Sequence, residues 1–430
     1  MNISLPTVES LCLMLIAMIS LESADSIRFL YKHFISKITQ KSLNAFYYAC
    51  SYAKVDYSEF MCTTTKIVLK VIPEDISYHP VFLCIDDTMI PKTGKKFENV
   101  SNLFDHAAHN GSSYLNGHCF VSLMLCVPVW KKGKVSYLSI PLGYRMWDKT
   151  KTKLVLAAEM VRKVMPELSG CKNVILMFDS WYTKKDLLCV ANEFENLDII
   201  CGARADSVMY AKAPKSTGKV GRPKKHGERL YIHKDFILSK EKINGYFIGE
   251  QMVLTNLFEN HMVHAYVTST HHEGGTRRLF FSTISPSCLS FAYAWYENVP
   301  LNQTGSDWAN YVPLFLYKIR WNIETSYYEQ KTFWSLCHYM IRSIKGIEMM
   351  VNLINIAYCS MKLLPYTDTE FKKHQEQSVQ EFRFFISEKI HEQIIFVSFV
   401  KTLENDLNIK RVINLLKQKV FGCSSTAQKL

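Results

Sequence analysis

The sequence contains no C-x-x-C pair and no internal repeat, and its 17 Gly and 13 Pro among 430 residues leave no room for a collagen-like or low-complexity chain. Its thirteen cysteines, an odd number, lie mostly inside apolar runs such as VFLCID and LMLCV. They are therefore expected to be buried thiols in a reducing compartment, neither disulfides nor zinc ligands. Long apolar runs are also missing. The one stretch that invites a membrane reading, LCLMLIAMISL from Leu11 to Leu21, is about half of the ~20 residues a spanning helix needs. No Lys or Arg precedes it and no small-residue cleavage site follows, so a core helix in a soluble protein is expected. Acidic residues are in deficit: 39 Asp and Glu against 51 Lys and Arg give a formal net charge of +12. That excess suits a polyanionic partner, either nucleic acid or an anionic membrane.

With 48% hydrophobic and 21% charged residues, the chain can bury a sizeable core, and its length suits two to three domains or one core carrying an insertion. Residues 1–75 have apolar positions at helical spacing and are expected to form a helical domain that includes Arg28, Lys32, Lys37, Lys41 and Lys54. From residue 76 to 204 strand-like runs alternate with helical ones: VFLCID, HCFVSLMLCVPVW, VSYLSIPLGY, LVLAAEMVRKVM, NVILMFD, KKDLLCVANEFE and DIICGAR. The alternation implies an α/β sheet core. Residues 205–300 read as a β-rich insertion with a basic loop, through RLYIHKDFI, GYFIGEQMVL, MVHAYVTS and RRLFFSTI. Residues 301–365 turn helical, from about Asp307 to Ser343 and again from about 346 to 364, and residues 366–430 form a mixed helical C-terminal region.

Two acidic sites close strands: Asp86 and Asp87 after VFLCI, and Asp179 after NVILMF. Carboxylates just past the C-terminal ends of sheet strands are where open α/β folds place function, although Asp there also caps ordinary turns. A third element is YKIRWNIETSYYEQK, with Tyr317, Arg320, Glu324 and Lys331 at offsets of 3, 7 and 14. On a helix at about 100° per residue these fall at roughly 0°, 300°, 340° and 320°, one stripe about 60° wide. Buried, such a stripe is unfavourable, and solvated it gains only weak pairs. It suits instead a carboxylate ligand flanked by phosphate-directed cations.

In this order the motifs IDDTMIPKTGKKFE (85–98), LMFDSWY, GRPKKHG (221–227), RWNIE (320–324) and HYMIRSIKGIE (338–348) resemble the DDE transposases of bacterial insertion sequences. The likeness is to the branch with the Y-R-E-K signature, the insertion-sequence-four type and its relatives, over roughly residues 80 to 360. It implies a ribonuclease-H-like catalytic fold with the first Asp on the first strand, the second on the fourth and the Glu on a later helix. A β-rich insertion would account for the separation of 145 positions from Asp179 to Glu324. The first Asp is Asp87 by its following Thr88, with Asp86 as the alternative. The resemblance further implies Asp87, Asp179 and Glu324 as ligands of two Mg²⁺ ions, with Mn²⁺ acceptable. Oxygen donors select hard ions of that kind, and cations would relieve the repulsion among three carboxylates.

The implied reaction is cleavage at the ends of a DNA element followed by joining of the 3′-hydroxyl to target DNA. Tyr317, Arg320 and Lys331 are assigned DNA backbone contacts, and a homodimer is expected to pair two DNA ends in a nucleoid-associated, cytoplasmic protein. Arg222, Lys224 and Lys225 join Lys212, Lys215 and Lys219 in fourteen residues without Asp or Glu, and are expected to contact DNA or to form a solvated loop. Trp321 and Trp334 suit either core packing or stacking on an unpaired base. His271–His272 and His106/His109 lack a matching ligand pattern, and Lys92, Lys95 and Lys96 lie beside the first Asp. Two other readings are a DNA-binding protein that keeps the fold without transposing and a sequence-tolerant nuclease.

Overall fold

A computed structural model describes residues 3–94, 96–104, 113–214, 224–297 and 307–405. Four helices come first: α1 (Leu5–Ser20), α2 (Ile27–His33), α3 (Leu43–Ser51) and α4 (Tyr57–Leu69). Strands β1 (Val81–Pro91), β2 (Ser101–Phe104), β3 (Tyr114–Lys131) and β4 (Lys134–Met146) precede helix α5 (Lys153–Val164). Then come β5 (Val174–Phe178), α6 (Lys185–Leu188), β6 (Leu197–Ala203), β7 (Met209–Tyr210), β8 (Arg229–Leu230), β9 (Phe247–Leu254), β10 (Met262–Ser269) and β11 (Arg277–Ser282). Helices α7 (Pro286–Glu297), α8 (Val312–Leu316), α9 (Trp321–Phe333), α10 (Ile344–Thr367) and α11 (Val379–Asn405) complete the order. The chain divides into two compact units, Val55–Glu329 and Asn2–Lys54 with Gln330–Leu430.

The first unit is built on one mixed sheet in the order β2-β3-β1-β5-β6-β11-β10-β9-β7-β8, with β4 also on β3. β1, β3 and β4 form an antiparallel meander, while β1, β5 and β6 run parallel. All five residues of β5 (VILMF) are buried, as expected of a parallel strand with both faces covered. β3 and β4 meet at Lys132-Gly133, whose φ values of 52° and 71° are those of the primed two-residue turn that matches strand twist. Gly117 is needed where β3 crosses β1, because a Cβ there would stand 2.2 Å from the Ile90 carbonyl oxygen.

The structure refines the expected organisation in three places. The β-rich segment after residue 205 joins the central sheet, since β11 pairs antiparallel with β6 and carries that sheet outward. Within RLYIHKDFI only Arg229–Leu230 is strand. The Asp235 carboxylate accepts the Tyr231 N–H at 2.8 Å and closes a local turn that competes with a ladder, leaving Ile237 92% exposed. Helix α4, grouped by sequence with the leading helices, belongs to the sheet unit because its buried face, including Met61 and Val68, packs on β4 and α5.

The second unit gathers α1, α2, α3, α10 and α11. α10 is long and apolar enough to cross a membrane by length and composition, contrary to the expectation that no segment approaches that length. Inside the protein 78% of its apolar window is buried, the pattern of a core helix. Arg383 of α11 is buried and donates to the carbonyls of Met18, Ile19 and Leu21 at the end of α1 and to that of Phe333. The carbonyls left over at a helix C-terminus are thereby satisfied by a cation, the charge the helix dipole favours there.

Candidate active site

β1 continues past the end of β5, and the step between them sets the site. The last parallel pair is Cys84 with Met177, and carrying that register two residues on brings Asp86 opposite Asp179. Side chains alternate along a strand, so Asp86 and Asp179 share a face and Asp87 points to the other. Asp86 is mostly buried, its side chain 18% exposed, and its Oδ1 accepts the Asp87 N–H at 2.8 Å. Burial, with the charges of Asp87 and Asp179 close by, pushes its carboxyl up to about 7 against the opposing pull of Arg320. Asp179 Oδ1 accepts the N–H groups of Trp181 and Tyr182 at 3.0 and 3.3 Å, so the carboxylate closes the turn after β5.

The third element reaches this face in a form the sequence did not indicate. Tyr317–Arg320 is a 3₁₀ turn, and the α-helix begins only at Trp321, so the four signature residues do not share one regular stripe. Tyr317 donates its hydroxyl to the Phe178 carbonyl at 2.9 Å, beside Gly202, where a Cβ would stand 3.2 Å from that hydroxyl. Arg320 is buried and bridges two carboxylates, with Nη1 3.3 Å from Asp86 and Nη2 2.8 Å from Glu324. Burial disfavours its charge, yet Tyr317, Asp86 and Glu324 together hold the guanidinium proton more tightly than usual. α9 is anchored to the sheet by the 2.6 Å hydrogen bond between Tyr327 and Ser122, the cross-strand neighbour of Asp86, and by Asn322 donating to Ser139 at 2.8 Å. Lys331 lies on α9 two residues beyond the end of the sheet unit.

Beside Asp179 opens a groove of about 680 Å³. Its lining includes Arg204, Arg277, Arg278, Lys318 and Arg320, with Tyr246, Tyr317 and Trp321 as aromatic walls; Asp179 is its acid. Trp321 is 58% exposed, whereas Trp334 is buried at 2%. The Arg277-Arg278 pair was visible in RRLFFSTI but carried no spacing signal. Lys224 and Lys225 are exposed near the β7–β8 pair and do not line this groove. Arg222, Lys215, Lys219, Lys95, His106 and His109 lie outside the described residues. Lys92 is buried and stands over the Phe97 ring, and His272 packs edge-on against Phe247.

Asp87, the first-Asp expectation, is not brought to this face. Its partners are Lys153, Tyr182 and Cys119. Asp86, the alternative, lies near the charge of Asp179 and pairs with Arg320, which also holds Glu324.

Among the described residues no three His, Cys, Asp or Glu side chains stand close enough to hold a metal ion. The donor chemistry nevertheless suits a hard divalent cation: Asp86, Asp179 and Glu324 are oxygen donors, and beside the burial that chiefly raises the Asp86 carboxyl stand the charges of Asp87 and Asp179, which a cation would offset. In this arrangement part of that role falls to Arg320.

A sequence model described as DDE superfamily endonuclease matches residues 45–241, under half of the chain. The match contains Asp86, Asp87 and Asp179 and ends before Arg320 and Glu324. No curated protein matches. Over the matched segment, the chain is similar to the DDE superfamily endonucleases.

Proposed function

We propose that the chain is a divalent-metal-dependent DNA-cleaving enzyme of the DDE kind, acting as a transposase of the Y-R-E-K branch on a ribonuclease-H-like core. The observation that carries this is the register that brings Asp86, midway along β1, beside Asp179 just past the end of β5, with Glu324 tied to Asp86 through Arg320. Asp179 follows β5, the fifth strand in chain order where the resemblance implies the fourth, and Glu324 lies on a later helix. Asp86 takes the place expected for Asp87.

Asp86, Asp179 and Glu324 would hold two Mg²⁺ or Mn²⁺ ions, which when bound supply positive charge for in-line displacement at phosphorus. The other steps belong to the chain. Arg320 is freed from its two carboxylates to fork onto a phosphate, a geometry guanidinium matches better than ammonium. Tyr317, fixed to the Phe178 carbonyl, holds the 3₁₀ turn against the end of β5 and thereby sets where Arg320 stands. The basic groove takes the DNA backbone, and exposed Trp321 offers a stacking face. Lys331 adds a phosphate contact from the same helix, Arg222, Lys224 and Lys225 supply outlying ones, and two copies pair two DNA ends.

The test uses full-length protein, Mg²⁺ and DNA carrying the element's terminal inverted repeats. The intact protein nicks the ends and joins the 3′-hydroxyl to a target, while Asp179→Ala binds the same DNA and cuts at least a thousandfold more slowly. Intact protein that binds but never nicks supports a second reading, a DNA-binding protein of this fold. One observation favours that reading: Arg320 already neutralises Asp86 and Glu324. Nicking without end preference or joining indicates a sequence-tolerant nuclease.

A further inference from the structure

Asp87 sits immediately beside the site yet its carboxylate is engaged behind the sheet. Lys153 Nζ, at the first residue of α5, lies 2.9 Å from each of its oxygens, and the Tyr182 hydroxyl donates to Oδ1 at 2.9 Å. The Cys119 thiol, on β3, approaches Oδ2 at 3.2 Å. Tyr182 is 1% exposed, so Asp87 takes the place of water as partner for its hydroxyl. Lys153 also stands over the Trp181 ring, with Nζ 4.0 Å from the centroid. Trp181 and Tyr182 are the two residues whose N–H groups bind Asp179 Oδ1 on the site face. The backbone that grips Asp179 is thus tied, through its own side chains, to Asp87 and Lys153.

We propose that Asp87, Lys153 and Tyr182 form a latch that fixes the 179–183 turn and so aims the Asp179 carboxylate; they are positioning residues, and Asp87 is not a metal ligand. The proposal rests on the role given to Asp179 above. A ligand carboxylate held through two backbone N–H groups is only as well placed as the turn that carries them, and here one buried phenol joins that turn to β1. An ion pair between Lys153 and Asp87 alone would be weak evidence of anything but burial. The Tyr182 bond makes it a connection to the site, since it ends on the residue whose N–H binds Asp179. Partners one shell removed from a metal ligand are worth about 10- to 100-fold in metal affinity.

The experiment compares wild-type full-length protein with Tyr182→Phe, Asp87→Asn, their combination and Asp86→Asn. Mn²⁺ binding is measured without DNA by electron paramagnetic resonance of the free ion, and amide hydrogen exchange is followed over residues 179–184. Tyr182→Phe removes one oxygen from an unchanged ring, so it keeps the test open even where Asp87→Asn misfolds. The latch predicts that Tyr182→Phe weakens Mn²⁺ binding about tenfold and speeds exchange at Trp181 and Tyr182. It also predicts that the double variant is little worse than Asp87→Asn alone. Mn²⁺ binding lost as completely in Asp87→Asn as in Asp86→Asn would make Asp87 a ligand and overturn the proposal. Unchanged affinity and exchange in Tyr182→Phe would overturn it as well. Wild-type protein that binds no Mn²⁺ counts against the proposed function instead, and the exchange rates then decide whether the latch holds the turn.

Discussion

At the scale of single residues, the neighbouring aspartates Asp86 and Asp87 show how one position along a strand changes a carboxylate's surroundings. Asp86 meets Arg320 and the charge of Asp179; Asp87 meets a lysine, a phenol and a thiol. The doublet was legible in the sequence, but its orientation was not. Orientation follows from the register of β1 against β5, which the identity of neither Asp records. A second buried ionisable group, His79, has consequences for stability. It packs against the rings of Tyr78 and Phe291, and burial pushes its imidazole down to about 4. A histidine whose folded pKa lies below its unfolded value of about 6.5 adds stability that is complete above that value. The contribution is lost as pH falls from about 6.5 toward 4, because the unfolded chain takes up the proton first. Denaturant midpoints of the sheet unit are therefore expected to drop across that window, by roughly 3 kcal/mol when the loss is complete. In His79→Phe the drop over the same window is expected to shrink; an undiminished drop would assign it to other groups.

At the scale of elements, the strands and the helix that frame the site were readable from pattern. NVILMFD and DIICGAR became β5 and β6, LVLAAEMVRKVM became α5, and VFLCID became only the first half of β1, which runs on through Asp86 and Asp87 to Pro91 instead of ending at them. These runs are long, apolar and punctuated, so local pattern and tertiary demand agree. The segment from Asp307 to Ser343 was legible as helical but not in its breaks. Pro313 lies in the first turn of α8, and Tyr317–Arg320 tightens to 3₁₀, a change that depends on partners brought from Phe178, Asp86 and Glu324. In the helical unit Arg383 illustrates the same dependence on distant partners. Its guanidinium, pushed down to about 10 by burial, satisfies carbonyls at the end of α1 and lies over the Trp334 ring at 4.2 Å. Arg383→Leu leaves those carbonyls without a donor and is expected to destabilise this unit by about 2–4 kcal/mol, read from its denaturant midpoint. A change below ~0.5 kcal/mol would mean that water replaces the guanidinium without penalty.

At the scale of the whole molecule, the net charge of +12 acquires a location. Five of the cations line the groove beside Asp179, among them Arg320, which the sequence indicated, whereas Lys224 and Lys225 of the basic loop do not line it. On the proposed function, carboxylates must gather at the scissile bond within a surround of positive charge, and the neighbouring strands β1 and β5 with the 3₁₀ turn allow that arrangement. The central claim is that Asp86, with Asp179 and Glu324, forms the cleaving carboxylate set. It is tested most directly by strand cleavage of radiolabelled inverted-repeat DNA in Mg²⁺ by wild-type and Asp86→Ala proteins matched for DNA binding. The account predicts that Asp86→Ala binds the DNA as tightly as wild type while its cleavage rate falls by at least about a thousandfold, the scale of lost electrostatic stabilisation at a reacting centre. Cleavage by Asp86→Ala within a few-fold of wild type would contradict it.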